Sequence, residues 1–386
     1  MDRRHLLKVT GLAAIAAGPA LIDGSALGAD TAGRDEGGVR EMASSDAPDL
    51  PGQFARSARH ASFYLDAGPK GGPAVILIHG WPELALAWRH QIDALPRLGF
   101  RVVAPDLRGC GQSSAYDAYA AYAQREVVRD MIELADALGL ERAVWVGHDW
   151  GAAVAWNIAR HHPDRCHAVA ALCVPYDTLE RGVNRLIPLV NRKIYPAAEF
   201  PAGQFEYIEF YHEHFDEARR SFEANVGNLF KVIMRRGDPE QAGKPFPTAF
   251  VRKQGGWFGP GRPAPDVPLD PAILDDADLA SYVQAYRRTG FFGVNALYMN
   301  DADNDRYAQE ARADAIEMPA LFLSGQNDFV NDTEYSDLAG PMRAKCRNLT
   351  YKTIGSGHWM QHERPGEVNA ALCGWIASKV PDAWPG

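Results

Sequence analysis

Ala143-Val144-Trp145-Val146-Gly147-His148-Asp149-Trp150-Gly151, followed by Ala152-Ala153-Val154-Ala155-Trp156-Asn157-Ile158-Ala159, runs from an apolar strand through a tight turn into a helix. The spacing Gly-x-Asp-x-Gly is that of a strained turn that lifts one side chain clear of a sheet. Glycines flank the apex because the turn brings backbones too close for a Cβ. The residue at the apex is Asp149, where a serine or cysteine would serve acyl transfer.

That aspartate selects a different chemistry. A serine that attacked a saturated carbon would leave an ether, which water could not remove. A carboxylate leaves an alkyl ester, which water can cleave at the carboxyl carbon with an oxyanion hole to help. Asp149 therefore points to displacement at an sp3 carbon with a leaving group, a carbon–halogen bond or a strained epoxide. A simpler role, capping the following helix, is also open to an aspartate here.

Working outward, further apolar runs read as buried strands: Ala74–Ile78, Val102–Ala104, Ala168–Leu172, Ala320–Leu323 and Leu349–Ile354. Between them lie helical patterns such as Arg125 to Leu138, with apolar Val127, Val128, Met131, Ile132, Leu134, Ala135 and Leu138 at helical spacing. Continuous apolar strands alternating with helices predict an α/β fold with a mostly parallel sheet covered on both faces. The alternation stops after Pro175. Residues 177–313 carry aromatic-rich helical segments and a Gly/Pro-rich loop, Gly255 to Pro271, and are expected to form a helical lid over the carboxyl edge of the sheet. The core is thus read as 52–176 and 314–386.

His358, in Gly357-His358-Trp359, follows the last strand and is placed to act as general base. Asp328, in Gly325-Gln326-Asn327-Asp328, follows the strand before it and would orient the imidazole; Asp177 is a rival for that role, and Asp332 reads as a cap. Nucleophile, acid, histidine is the chain order of this hydrolase class. His79-Gly80-Trp81-Pro82 follows the first apolar strand and would set the Trp81 N–H beside the Trp150 N–H as an oxyanion hole. His212 and His214 have the wrong spacing to share a helix face. His161 and His162 suit the C-terminal dipole of their helix. No metal or organic cofactor is expected.

The chain has 386 residues, is 46% hydrophobic and 23% charged, and carries a formal charge of -9. With no basic run in its body, a nucleic-acid partner is disfavoured. Five cysteines (Cys110, Cys166, Cys173, Cys346, Cys373) lack metal spacing and are expected to be buried thiols. At the N-terminus, Asp2-Arg3-Arg4-His5-Leu6-Leu7-Lys8 and the short apolar run Val9 to Leu21 resemble a bacterial twin-arginine export signal. Cleavage near Ala29 is expected, leaving 30–51 as a polar leader and the protein periplasmic or extracellular, with no stable membrane insertion.

His79-Gly80-Trp81-Pro82, Asp106-Leu107-Arg108-Gly109-Cys110-Gly111-Gln112-Ser113 and Gly147-His148-Asp149-Trp150-Gly151 together resemble the epoxide hydrolases of the α/β-hydrolase fold. The resemblance extends from about Phe63 to the C-terminus. It implies a small apolar epoxide and water as substrates, and two lid tyrosines that hold the epoxide oxygen. The matching positions are Tyr207 and Tyr298, with Tyr211 one turn from Tyr207 as the substitute. A haloalkane or haloacid dehalogenase shares the aspartate and is the nearest alternative. A non-catalytic binder of apolar ligands is the next. Lid aromatics Phe205, Phe210, Trp257, Phe258, Phe291 and Phe292 are expected to line an apolar pocket. The particular epoxide and the oligomeric state are not set by these residues.

Overall fold

The computed structural model describes residues 52–386. The export signal and the polar leader lie outside these residues. One sheet of eight strands organises the chain: β1 (Gln53–Arg56), β2 (Ala61–Ala67), β3 (Ala74–Ile78), β4 (Arg101–Pro105), β5 (Ala143–His148), β6 (Cys166–Leu172), β7 (Ile316–Gly325) and β8 (Cys346–Ile354). Their spatial order is β1-β2-β4-β3-β5-β6-β7-β8. β1 pairs with β2, and β2 with β4, antiparallel; every other pair is parallel.

The strands predicted from apolar runs are the buried parallel ones. On β3, Ala74, Ile76 and Ile78 join the hydrophobic layer on one face, and Val75 and Leu77 the layer on the other. Alternate side chains leave a strand on opposite faces, so a strand covered on both sides must be apolar throughout. β1 and β2 were not legible in this way, because β1 is an exposed edge of mixed composition.

The helices on the core are α1 (Arg89–Ala94), α2 (Gln124–Ala137) and α3 (Trp150–His161). α2 buries Val127, Val128, Met131, Leu134 and Ala135 of the apolar set expected there, whereas Ile132 and Leu138 are only partly buried at its margin. Between β6 and β7 the chain leaves the sheet for α4 (Val183–Leu186), α5 (Glu206–Glu223), α6 (Val226–Ile233), α7 (Asp276–Thr289), α8 (Phe292–Ala296) and α9 (Asp301–Gln309). These form the helical lid, and their apolar side chains are continuous with one face of the sheet. The chain returns through α10 (Gly340–Lys345), α11 (Met360–Glu363) and α12 (Pro365–Lys379). No described helix is long and apolar enough to cross a membrane.

The topology places a crevice. From β3 the chain moves to β4 on one side; from β5 it moves to β6 on the other. The loops leaving β3 and β5 therefore part in opposite directions at the carboxyl edge, the switch point where open α/β sheets bind ligands.

The cysteines are all free; four are buried, and Cys373 is only partly so, a departure from the expectation of five buried thiols. The histidines at the C-terminal end of α3 also differ from expectation. Burial, reinforced by Arg160, lowers His161 to about 4, and its ring stacks on Tyr307 with centroids 3.8 Å apart. Burial lowers His162 as well. His161 is therefore a neutral packed ring at neutral pH, not a cation at a helix end.

Candidate active site

Asp149 joins β5 to α3 with φ 51 and ψ -122, a left-handed conformation in a residue that is not glycine. Its side chain makes no capping hydrogen bond to α3, although it occupies the N-cap position. Capping therefore does not account for it. A strained φ in a non-glycine residue persists only where the surroundings hold it. Those surroundings are crowded backbone. A Cβ on Gly147 would lie 2.1 Å from the Gly151 carbonyl oxygen. One on Gly151 would lie 2.0 Å from the Ile78 carbonyl oxygen, so this glycine seats the helix against the end of β3. A Cβ on Gly80 would lie 2.4 Å from the Asp149 Cβ.

The loop after β3 meets this turn. The Trp81 backbone N–H donates to Asp149 Oδ1 at 2.8 Å, and the Trp81-Pro82 bond is cis. Trp150 is the first residue of α3, so its N–H is among those a helix leaves without an internal partner. On the other side, Asp149 Oδ2 lies 3.8 Å from His358 Nε2. His358 Nδ1 in turn lies 2.9 Å from Asp328 Oδ2. Asp328 Oδ1 accepts from the Val330 and Asn331 N–H groups, both at 3.1 Å, which fixes the carboxylate.

Burial lowers the His358 pKa, but the neighbouring charge and hydrogen bond of Asp328, followed by Asp149, outweigh it and raise the imidazole to about 9. Burial works to raise Asp328, and His358 reverses it, so the carboxyl stays below its usual range.

The rival acid stands elsewhere. Asp177 is gripped by Arg160 at 3.0 Å, Arg181 at 2.9 Å, Arg185 at 2.7 Å and Lys345 at 2.7 Å. Burial opposes ionisation there, but these four cations hold the carboxyl far below its usual range. Asp332 accepts from the Glu334 and Tyr335 N–H groups in a local turn.

The lid sets aromatic rings against the Asp149 turn. Tyr298, just after α8, meets Trp150 edge-on with centroids 4.9 Å apart. Tyr207, in the first turn of α5, lies 5.7 Å from Tyr298. Trp257 stacks on Trp81 at 6.0 Å. Two of the expected pocket aromatics pack elsewhere. Phe291 packs on Tyr286 at 4.4 Å, and Phe292 on Tyr119 at 5.4 Å, both within lid and loop packing. Phe222 takes their place beside Trp81, at 5.9 Å.

Several contributors were not legible in the sequence. Glu83 is fully buried and accepts from the Gly80 N–H at 3.1 Å, Gln361 Nε2 at 2.8 Å, and the rings of His148 at 2.7 Å and His362 at 3.1 Å. Burial would raise its carboxyl, yet His148 and His362 hold it well below its usual range. His148 Nε2 faces the His358 carbonyl at 2.9 Å, and the Cys173 Sγ donates to the same oxygen at 3.1 Å. His148, Cys173 and His358 place their ligand atoms within 4.8 Å of one another. Two of those atoms are committed to one carbonyl, so the cluster supports the His358 loop. Asn295, another residue not singled out, accepts from the Trp81 indole N–H at 2.9 Å and ties the lid to the loop after β3. The Glu83 signal was present as Trp81-Pro82-Glu83, but no periodicity marks a carboxylate turned inward from a loop.

The family model of the α/β hydrolase fold matches residues 73–365. Epoxide hydrolase A of Mycobacterium tuberculosis is 36% identical over 333 residues, 80% of this chain and 91% of that protein. Bifunctional epoxide hydrolase 2 of Sus scrofa is 32% identical over 79% of this chain, a match that spans 51% of the longer relative. The crystal structure of epoxide hydrolase A from Mycobacterium thermoresistibile superposes with a TM-score of 0.67 at 33% identity, covering 84% of this chain and 98% of that one.

Proposed function

The chain belongs to the epoxide hydrolases of the α/β-hydrolase fold, and from that premise we propose that it opens epoxides through a covalent ester on Asp149. The observation that carries this reading is the suspension of one carboxylate between two partners. One oxygen is held by the Trp81 N–H at 2.8 Å, and the other faces an imidazole at 3.8 Å that is itself anchored on Asp328.

In the first half-reaction Asp149 attacks a ring carbon and the carbon–oxygen bond breaks. The departing oxygen develops alkoxide charge. Tyr207 and Tyr298 hold it by hydrogen bonds and supply its proton. Burial raises both phenols, with the Asp149 charge adding to it. Each therefore stays protonated until the far more basic alkoxide forms.

Charge balance then sets up the second half-reaction. Esterification removes the Asp149 charge, one of the influences that raise His358. The imidazolium gives its proton back to the tyrosinate and becomes a free base. It next takes a proton from water, which attacks the Asp149 carboxyl carbon. The oxyanion of that intermediate is bound by the Trp81 and Trp150 N–H groups. Collapse releases a vicinal diol and regenerates the carboxylate.

A single turnover in heavy-oxygen water tests this. The label is expected in the Asp149 peptide and absent from the first diol, because water attacks the ester carbonyl and the diol carries away an oxygen of the original carboxylate. Label in the first diol with none at position 149 would mean that water attacks the epoxide directly, and the ester route would fall.

A further inference from the structure

At one point the lid backbone runs directly against the loop that carries His358. Gly237 follows the end of α6 in the lid, and Gly357 immediately precedes His358. A Cβ on Gly237 would lie 2.6 Å from the Gly357 Cα, and one on Gly357 would lie 2.5 Å from the Gly237 Cα. Glycine at both positions lets the two main chains come this close.

Glu363, the last residue of α11, holds the contact together. Its Oε2 accepts from the Gly357 N–H at 2.8 Å and from the Gly237 N–H at 3.1 Å. On the far side of His358, Trp359 donates its indole N–H to the Ile233 carbonyl at 3.0 Å, at the end of α6. The residues on either side of His358 are thus both tied to one short lid segment, 233–237. The core holds only the His358 carbonyl between them, through His148 and Cys173.

Hydrogen bonds to a carboxylate are about twice as strong as neutral ones, so one oxygen shared by two N–H groups is a firm anchor. Its place gives it a kinetic meaning. The imidazole faces Asp149 Oδ2 across 3.8 Å, and a misplacement of about 1 Å can cost a reaction on the order of 100-fold. The two half-reactions feel this unequally. Ester formation draws on Asp149 and the two phenols, whereas the imidazole acts as a base when water attacks the ester.

We propose, resting on the ester route above, that Glu363 is a positioning residue for the hydrolytic half-reaction. It acts through the Gly357 N–H to seat His358, and through the Gly237 N–H it makes that seat depend on the lid segment 233–237. Water is then activated while this segment is docked on the His358 loop.

Rapid mixing with one equivalent of epoxide tests this, following formation and decay of the ester as separate phases of tryptophan fluorescence. Glu363→Ala should slow decay by roughly 10- to 100-fold and leave formation unchanged. Glu363→Gln keeps an acceptor oxygen and should restore most of the lost rate. Gly237→Ala forces the two backbones apart and should slow decay selectively as well, which keeps the test decisive if Glu363→Ala does not fold. A merely loosened lid would behave differently, because Tyr207 and Tyr298 belong to the lid and formation would slow too. Equal slowing of both phases, or no slowing of decay, overturns the positioning role and leaves the ester route standing. A wild type that turns over epoxide with no ester phase overturns the ester route itself, and this role with it.

Discussion

At the carboxyl edge of the sheet, the groups nearest Asp149 are placed by crowded backbone; in the lid, the groups facing them are placed by packed rings. Gly80, Gly147 and Gly151 each sit where a methyl group would meet main-chain atoms or Asp149 within 2.4 Å. Tyr207, Tyr211, Tyr298 and Trp257 instead hold one another through edge-on contacts of 5.2–5.7 Å. Backbone crowding defines a geometry that side-chain exchange cannot adjust. A ring cluster tolerates exchange of polar tips while keeping its shape. The first arrangement suits the steps common to every substrate, and the second suits the choice among substrates.

The sharpest way to break this division is to remove polar tips from the lid without disturbing its rings. Changing Tyr207 and Tyr298 together to Phe should leave the thermal melt near that of wild type. Ester formation should slow by about 100-fold per lost donor, roughly 10⁴ together or about 5 kcal/mol. Rapid-mixing fluorescence with one equivalent of epoxide measures it. A double variant that keeps a tenth of the native rate would take the role away from these phenols.

A paired glycine experiment addresses the backbone side. Gly151 and Gly227 both lie in helices, α3 and α6. At Gly151 an added Cβ would meet the Ile78 carbonyl oxygen at 2.0 Å, whereas at Gly227 its nearest neighbour is Val283 at 3.7 Å. Gly151→Ala should therefore destabilise the protein by on the order of 3 kcal/mol or more. Gly227→Ala should stabilise it by up to about 1 kcal/mol through helix propensity. Denaturant midpoints decide. Equal effects of the two changes would mean that backbone crowding does not distinguish the regions.

The same division explains what the sequence disclosed. Backbone-determined features leave local patterns: an apolar run into Gly147 and Gly151 marks the turn, and continuous apolarity marks β3, β5 and β6. Asp328 and His358 could be found because each follows a strand at the same sheet edge. Glu83 could not, since its partners His148, Gln361 and His362 come from three separate segments and only the folded topology unites them. In the lid, aromatic composition announced a ring cluster but not its membership. Phe291 and Phe292 read like Trp257 and Phe222, and only packing separates those beside Trp81 from those that fill the lid.

The smallest expected effect probes the electrostatic link between the two half-reactions. His358 titrates at about 9 against an ordinary 6.5. A folded-state pKa raised in this way stabilises the protein fully below about 6.5, and that contribution is lost as pH rises through 9. Histidine-labelled NMR should show the titration fall most in Asp328→Asn, which removes a charge and with it the charge assistance of a direct hydrogen bond, and less in Asp149→Asn, which removes a charge at longer range. The loss of stability between pH 6.5 and 9 should shrink in the same order. Asp149→Asn also imitates the neutral side chain of the proposed ester, so its titration reports the state the imidazole would have when that route calls for water to be activated. A fall toward the ordinary value frees the base near neutral pH. If the variant still titrates at about 9, the imidazole keeps its proton in the ester, and the hydrolytic half-reaction needs another base.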